Sequence, residues 1–186
     1  MGDARALWIF LPVLGAYLAH APVLRFDLFP TLKRPLDGGA TLRGRRLLGD
    51  NKTWRGVATM FAGVLAATVL LSRVPAYWRR LPEDLRAAGP WTFGALLALG
   101  VVLGELPNSF VKRQLDIAPG ARRASALGAL LAVFDQGDFV LGVWLLLGPI
   151  WRMSAGQALL AFAVVVIAHL AVNVIGYAIG ARREWL

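Results

Sequence analysis

The sequence has no cysteine, only two histidines, and charge on just 17% of its 186 positions. The missing cysteines exclude a disulfide framework, a thiolate metal site and a cysteine nucleophile together, and leave the redox compartment undetermined. Acidic residues number only 11, so any that fall within apolar surroundings need a physical reason to be there. What the chain has in excess is apolar: 58% of its residues are hydrophobic and its mean hydropathy is +0.60. Soluble globular chains carry about 45–50% apolar and about 25% charged residues, so a soluble core of this size would not absorb so much apolar surface. The composition excludes an ordinary soluble domain and predicts an integral membrane protein, a single domain over 1–186.

Five apolar stretches approach the roughly 20 helical residues that a hydrocarbon core requires, at about 7–24, 56–71, 91–106, 127–150 and 155–179. They predict an all-α bundle of five transmembrane helices. The first stretch has Asp3 beside Arg5 ahead of it and no small-x-small cleavage pattern behind it, so it reads as a retained helix rather than a secretory signal. Charge placement then gives the orientation. The loop at about 25–55 holds Arg25, Lys33, Arg34, Arg43, Arg45, Arg46, Lys52 and Arg55; the loop at about 107–126 holds Lys112, Arg113, Arg122 and Arg123; the tail adds Arg182 and Arg183. With an odd number of spans these fourteen of the twenty basic residues share one side, which predicts two cytoplasmic loops, an outside N-terminus and a cytoplasmic C-terminus in the cell membrane. Trp78, Trp91, Trp151 and Trp185 fall near span ends, where indoles favour the headgroup region. The net charge of +9 would point to nucleic acid in a soluble chain; here much of it records topology, and no nucleic-acid partner is expected. Gly94-x-x-x-Ala98, Gly100-x-x-x-Gly104 and Gly176-x-x-x-Gly180 let helix backbones approach closely, read first as packing within the bundle and second as a homodimer contact.

Three polar clusters lie on the cytoplasmic side of this topology. In Gly49-Asp50-Asn51-Lys52-Thr53-Trp54-Arg55-Gly56, Asn51 or Thr53 can cap the second helix, and its free amides with Lys52 and Arg55 would form an anion site. The alternative is a capped helix whose basic residues meet anionic headgroups. The segment is not a phosphate-binding P-loop, because Asp50-Asn51 stand where Lys-Ser/Thr is required. In Gly104-Glu105-Leu106-Pro107-Asn108-Ser109-Phe110-Val111-Lys112-Arg113, Glu105, Ser109 and Lys112 share a face if helix continues through Pro107. Glu105 at the end of an apolar run should face protein, a cation or water, and an ion pair with Lys112 is the plain reading. The third cluster, Phe134-Asp135-Gln136-Gly137-Asp138-Phe139, puts two carboxylates at i and i+3 inside an apolar stretch. Mg²⁺, neutralisation by Arg122, Arg123 or Lys112, or a proton pathway would each account for them.

His20 and His169 read as lying in spans away from these clusters, so neither offers a general base, and His169 with Asn173 one turn on reads as a former of interhelical hydrogen bonds. A reaction whose nucleophile is already anionic, such as a phosphate monoester attacking a nucleoside triphosphate, needs little proton abstraction. It needs metal and cationic groups that bring two anions together.

The three motifs, in this order, resemble the membrane CTP-transferase superfamily, more closely the CDP-archaeol synthase family and more distantly CDP-diacylglycerol synthase. The resemblance covers most of the chain. It implies transfer of CMP from CTP to a lipid phosphate, with Mg²⁺, giving a CDP-lipid and pyrophosphate. By motif position it implies that Asn51, Lys52, Thr53 and Arg55 serve the nucleotide or its phosphates, that Ser109, Lys112 and Arg113 contact phosphate, and that Glu105, Asp135 and Asp138 hold metal, with Lys112, Arg113, Asp135 and Asp138 as the catalytic set. The family commonly has Asp where Glu105 stands. Ile117-Ala118-Pro119-Gly120 and Leu131-Ala132-Val133 replace the Lys-Asp and His-Gly-Gly of the diacylglycerol type, which favours the archaeol type. Phosphatidate as acceptor, or a nonenzymatic transporter or scaffold, are the rival readings. Gly38 and Gly39 make the first loop a candidate lid.

Overall fold

The computed structural model describes residues 3–118 and 126–178; Arg122, Arg123, Arg182, Arg183, Gly180, Trp185 and the side chain of Asn173 lie outside the described residues. The first apolar stretch starts as a 3-10 helix, Asp3–Val13, and becomes the α-helix α1 at Leu14–Arg25. Pro12 lies at that change, and its missing amide hydrogen and ring clash disfavour a continuous α-helical start. Helix α2, Trp54–Ser72, begins where the sequence places it. Thr53 is its cap, with extended backbone (φ −121°, ψ 155°) and Oγ1 accepting from the Gly56 amide at 3.1 Å. A short α3, Pro75–Trp78, leads into α4, Glu83–Gln114. Gly89 (φ 81°, ψ 163°) breaks α4 just before Pro90, so the apolar part starts close to the predicted 91. Its far end differs from the predicted 106: the helix continues through Pro107, so residues 107–114 belong to α4 and not to a loop.

The fourth stretch is not one straight helix. It divides into α5, Ala126–Phe134, and α6, Phe139–Leu147, bent by 51° across Asp135–Asp138. The final helix α7 spans Ala155–Ala178. Among the described residues three helices are long and apolar enough to cross a membrane, four when the bent pair counts as one span, and the apolar part of α7, Ala155–Ala171, is shorter. The loop between α1 and α2 also contains a small antiparallel hairpin, β1 (Thr41–Leu42) with β2 (Arg45–Arg46), pairing Thr41 with Arg46 and Leu42 with Arg45. Its two-residue turn puts Arg43 and Gly44 at positive φ, the geometry that suits the right-handed twist of paired strands.

Helix α4 is the centre of the bundle, packing on α2 along one side and on α6 along another, while α1 packs on α2. Phe93, Leu97 and Val101 of α4 meet Val140, Val143 and Leu147 of α6 in the buried core. The closest crossings are made by glycine. Gly100 and Gly104 lie against the backbone of Phe139, Gly142 and Val143, where a Cβ would strike main chain, and Gly15 of α1 meets Gly63 of α2 in the same way. In a membrane such contacts are what holds helices together, because lipid tails are as apolar as the side chains they replace. Both small-residue pairs of α4 are used inside the bundle, Gly94 resting on Leu65 and Thr68 of α2.

Candidate active site

The basic first loop is tied down before it reaches α2. The side chain of Asp37, 1% exposed, accepts from the amides of Gly39, Leu48 and Gly49 at 2.9–3.1 Å and from Arg46 at 2.7 Å. Burial opposes ionisation of this carboxyl, but the Arg46 guanidinium and the three amides outweigh it and hold Asp37 well below the usual carboxylate range. Arg45 reaches the end of α4, donating to the Gln114 carbonyl and pairing with Asp116 at 2.6 Å, and Gln114 Nε2 donates back to the Arg46 carbonyl at 3.1 Å. Gly38 and Gly39, read as a lid hinge, form the positive-φ turn that Asp37 fastens. Asp37 was not singled out from sequence; an Asp directly before Gly-Gly is a turn signal that would have found it.

The first motif borders a cavity of about 530 Å³ lined by His20, Asn51, Lys52, Thr53, Arg55 and Glu105, among others. Asn51 is exposed at its edge. Lys52 reaches across to α4, its Nζ 2.5 Å from Glu105 Oε2. Arg55 is 5% exposed and bonded to Asp27 Oδ1 at 2.5 Å and to the Leu28 carbonyl at 3.1 Å, so it also straps the chain that leaves α1. That contact, with Lys33 beside it, holds the Asp27 carboxyl below its ordinary value.

The second and third motifs meet across α4 and the bend between α5 and α6. Lys112 Nζ lies 2.6 Å from Asp135 Oδ1. Glu105 and Lys112 therefore do not pair with each other; each takes a partner from a different element. Asn108, 5% exposed, donates through one nitrogen to both carboxylates, to Asp135 Oδ1 at 2.9 Å and to Asp138 Oδ2 at 3.2 Å. The motif resemblance points to the neighbouring Ser109 and not to Asn108, but Ser109 Oγ donates to the Glu105 carbonyl of its own helix at 3.1 Å. A polar amide one turn beyond Glu105 in a helix that outlasts its apolar run was the available signal.

Three buried polar groups here have no partner among the described residues: Asp138 Oδ1, Asn108 Oδ1, and Nε with Nη1 of Arg113. Buried polar atoms are almost always satisfied, and a carboxylate and a guanidinium are the costliest to leave bare. Asp138 lies within electrostatic reach of Glu105, Asp135 and Lys52. Among the described residues no three His, Cys, Asp or Glu side chains gather closely enough to hold a metal alone. Two convergent carboxylates with a bare oxygen nevertheless fit Mg²⁺, which normally takes one or two carboxylates and completes its shell with water and phosphate.

The other side of α4 borders an apolar groove of about 460 Å³ between α4, α5 and α6. Leu103, Pro107, Val111, Leu130, Phe134 and Leu145 form its walls, and Asn108 and Asp138 lie at its polar limit. Both histidines prove closer to the clusters than their sequence positions imply. His20 lines the first cavity and bonds Thr59, while His169 bonds the Gln136 carbonyl inside the third motif.

Known proteins resemble this chain along most of its length. The family described as CarS-like CDP-archaeol synthase matches residues 4–186. The CDP-archaeol synthase of Halobacterium salinarum is 40% identical over 96% of this chain and 94% of its own length. That of Methanosarcina mazei is 36% identical over 81% and 89%, and that of Thermococcus kodakarensis 33% over 93% and 92%. A solved intramembrane enzyme for archaeal membrane lipid biosynthesis superposes with a TM-score of 0.65 at 30% identity, covering 92% of this chain and 94% of that one. With the whole membrane-embedded chain matched, and with relatives this similar along nearly all of their length, the protein belongs to the CDP-archaeol synthase family.

Proposed function

We propose that this protein is a membrane cytidylyltransferase that transfers CMP from CTP to a lipid phosphate, forming a CDP-lipid of the CDP-archaeol kind and pyrophosphate. The observation that carries the reading is the buried Asp138 oxygen without a partner among the described residues, on a carboxylate held with Asp135 by Asn108, together with the unpartnered Nε and Nη1 of Arg113, itself within electrostatic reach of Asp135. An acid and a base left unpaired in one low-dielectric neighbourhood suit a substrate that brings both a cation and an anion. In this reading five helices cross the cell membrane, the N-terminus is outside, and the site opens to the cytoplasm.

CTP occupies the cavity beside α2, where Asn51, Lys52, Thr53 and Arg55 border the nucleotide. Lys52 turns from Glu105 to a phosphate oxygen. The lipid lays its chains in the apolar groove and brings its phosphate to the Asn108 end. A phosphate monoester oxygen attacks the α-phosphorus of CTP, one P–O bond forms, the bond to pyrophosphate breaks, and no proton needs to be removed. Lys112 and Arg113 offset the charge of the two approaching phosphates, Ser109 borders them, and Asp135 and Asp138 would hold the metal, with Glu105 adding its charge once Lys52 has turned away. Mg²⁺, when bound, screens the triphosphate oxygens and the charge developing on pyrophosphate.

The test is Mg²⁺-dependent transfer of labelled CMP to a panel of diether and diester lipid phosphates by the wild type, Asp135→Asn and Asp138→Asn. Transfer that prefers diether phosphates and is lost in both variants is expected. Full activity in both folded variants would overturn the metal assignment, and a preference for phosphatidate would move the acceptor to the diester class. Absence of CTP-dependent thermal stabilisation in detergent would favour a transporter or scaffold.

A further inference from the structure

The 51° bend between α5 and α6 leaves a carbonyl to be satisfied. In an unbroken helix Gln136 O would accept from the Val140 amide, but Val140 N bonds Gly137 O at 3.0 Å, so the bend takes that donor away. His169, on α7 and thirty-three residues further along the chain, supplies one: its Nδ1 lies 2.7 Å from Gln136 O. A carbonyl only accepts, so the proton is on Nδ1, and in the neutral ring Nε2 is then an acceptor. The Tyr17 hydroxyl of α1 bonds that nitrogen, with the two rings edge to face at 5.5 Å between centroids. Gly137 fits beneath Phe162 of α7, where a Cβ would come within 2.9 Å of the ring.

We propose that His169 is a positioning residue for the Asp135–Asp138 turn, fixing its backbone from the α7 side while Asn108 fixes its carboxylates from the α4 side. The imidazole touches neither substrate nor the reacting atoms. It acts by setting the bend, and with Tyr17 it links three elements, α1, the bend and α7, to one carboxylate pair. Metal ligands held by helix backbone keep their geometry only if that backbone is itself held, and a displacement of about 1 Å costs on the order of 10²-fold in rate.

The test combines hydrogen exchange across 131–142 with CMP transfer, in the wild type, His169→Ala, His169→Asn and Tyr17→Phe. In His169→Asn the amide nitrogen replaces Nδ1 and loses the Tyr17 link. His169→Ala should speed exchange in 131–142 at least tenfold, leave 93–104 unchanged, and lower kcat tenfold or more with KM for CTP changed less than threefold. His169→Asn should recover most of both losses, and Tyr17→Phe should show a smaller effect of the same kind. Unchanged exchange over 131–142 in folded His169→Ala overturns the proposal, as does faster exchange with unchanged kcat. Should the alanine variant not fold, equal exchange in His169→Asn, Tyr17→Phe and an otherwise matched His169→Phe overturns it. The kinetic arm rests on the cytidylyltransferase reading, whereas the exchange arm does not. A wild type without CMP transfer would defeat that reading and leave exchange to decide the role of His169.

Discussion

Asn108→Ala is the perturbation that most directly tests how the two carboxylates are held. One nitrogen donates to both, at 2.9 and 3.2 Å, from a side chain only 5% exposed. A hydrogen bond to a charged acceptor contributes about 1.5–3 kcal/mol, so the pair together contributes at most about 3–6 kcal/mol. Water admitted into the space left by the amide re-solvates part of that, and about 2–3 kcal/mol of misplacement is expected to survive. At about 1.4 kcal/mol per tenfold this is a fall in kcat/KM of about 30–150-fold. Asn108→Asp keeps the shape, removes the donor and adds a third charge; at about 4 Å and an effective dielectric constant near 20, each like-charge pair costs about 4 kcal/mol, so it should lose at least as much. The assay is CMP transfer in detergent micelles at several Mg²⁺ concentrations, with the melting temperature of each variant as the folding control. If Asn108→Ala kept kcat/KM within threefold of wild type while Asp135→Asn was inactive, the carboxylates would be held by something other than this amide.

Asp138→Asn should abolish transfer, by 100-fold or more, while leaving the melting temperature equal to or above that of the wild type, because it replaces a buried carboxylate that has a bare oxygen; a large drop in melting temperature would show that oxygen to be satisfied. Arg113→Gln should likewise cost activity more than stability, since its Nε and Nη1 bond nothing among the described residues, and a variant that melts much lower but transfers normally would assign Arg113 to packing. For Asp37 the folded pKa is depressed, so its contribution is complete above about pH 4, where the unfolded carboxyl is ionised, and is lost as pH falls below that range. Protection of the Leu48 and Gly49 amides against hydrogen exchange, corrected for the intrinsic pH dependence, should be flat from pH 8 to 5 and fall below about pH 4, and Asp37→Asn should lose protection already at pH 7. Identical profiles in the two proteins would remove Asp37 as the anchor of this loop.

The elements most legible from sequence were those set by local chemistry. Apolar runs place α2 and α7 closely, the cap of α2 narrows to Asn51 or Thr53 and is Thr53, and the small-residue pairs of α4, read first as bundle contacts, serve as such. What escaped was set by partners distant in the chain. Spacing along a helix says which residues share a face but not which neighbour that face meets, so Lys52 with Glu105 and Asn108 with both aspartates were not foreseen as pairs, and Lys112, which reaches Asp135, stood only as one of three basic residues that could neutralise the aspartates. The bend at Asp135–Asp138 was hidden because the stretch stays apolar on both sides of it; only two charges, a glutamine and a glycine interrupt it. Pro107 made the end of α4 conditional, and the helix runs on regardless. The hairpin turn at Arg43-Gly44 carries an arginine where asparagine or aspartate would have announced it.

The ion pairs of the site have a bearing on how it fills. Lys52 faces Glu105 and Lys112 faces Asp135, while Arg113 and Asp138 add one charge of each sign, so by formal charge the cluster sums to zero although the chain as a whole is strongly cationic. On the proposed function, neither a free triphosphate nor a free divalent ion would gain from such a place, because each arriving alone would unbalance charge in a medium that tolerates imbalance poorly. A metal–nucleotide complex would arrive as a salt meeting salts, its cation drawn to the acids and its anion to the bases. The expected consequence is metathesis, with ion and nucleotide each raising the other's affinity.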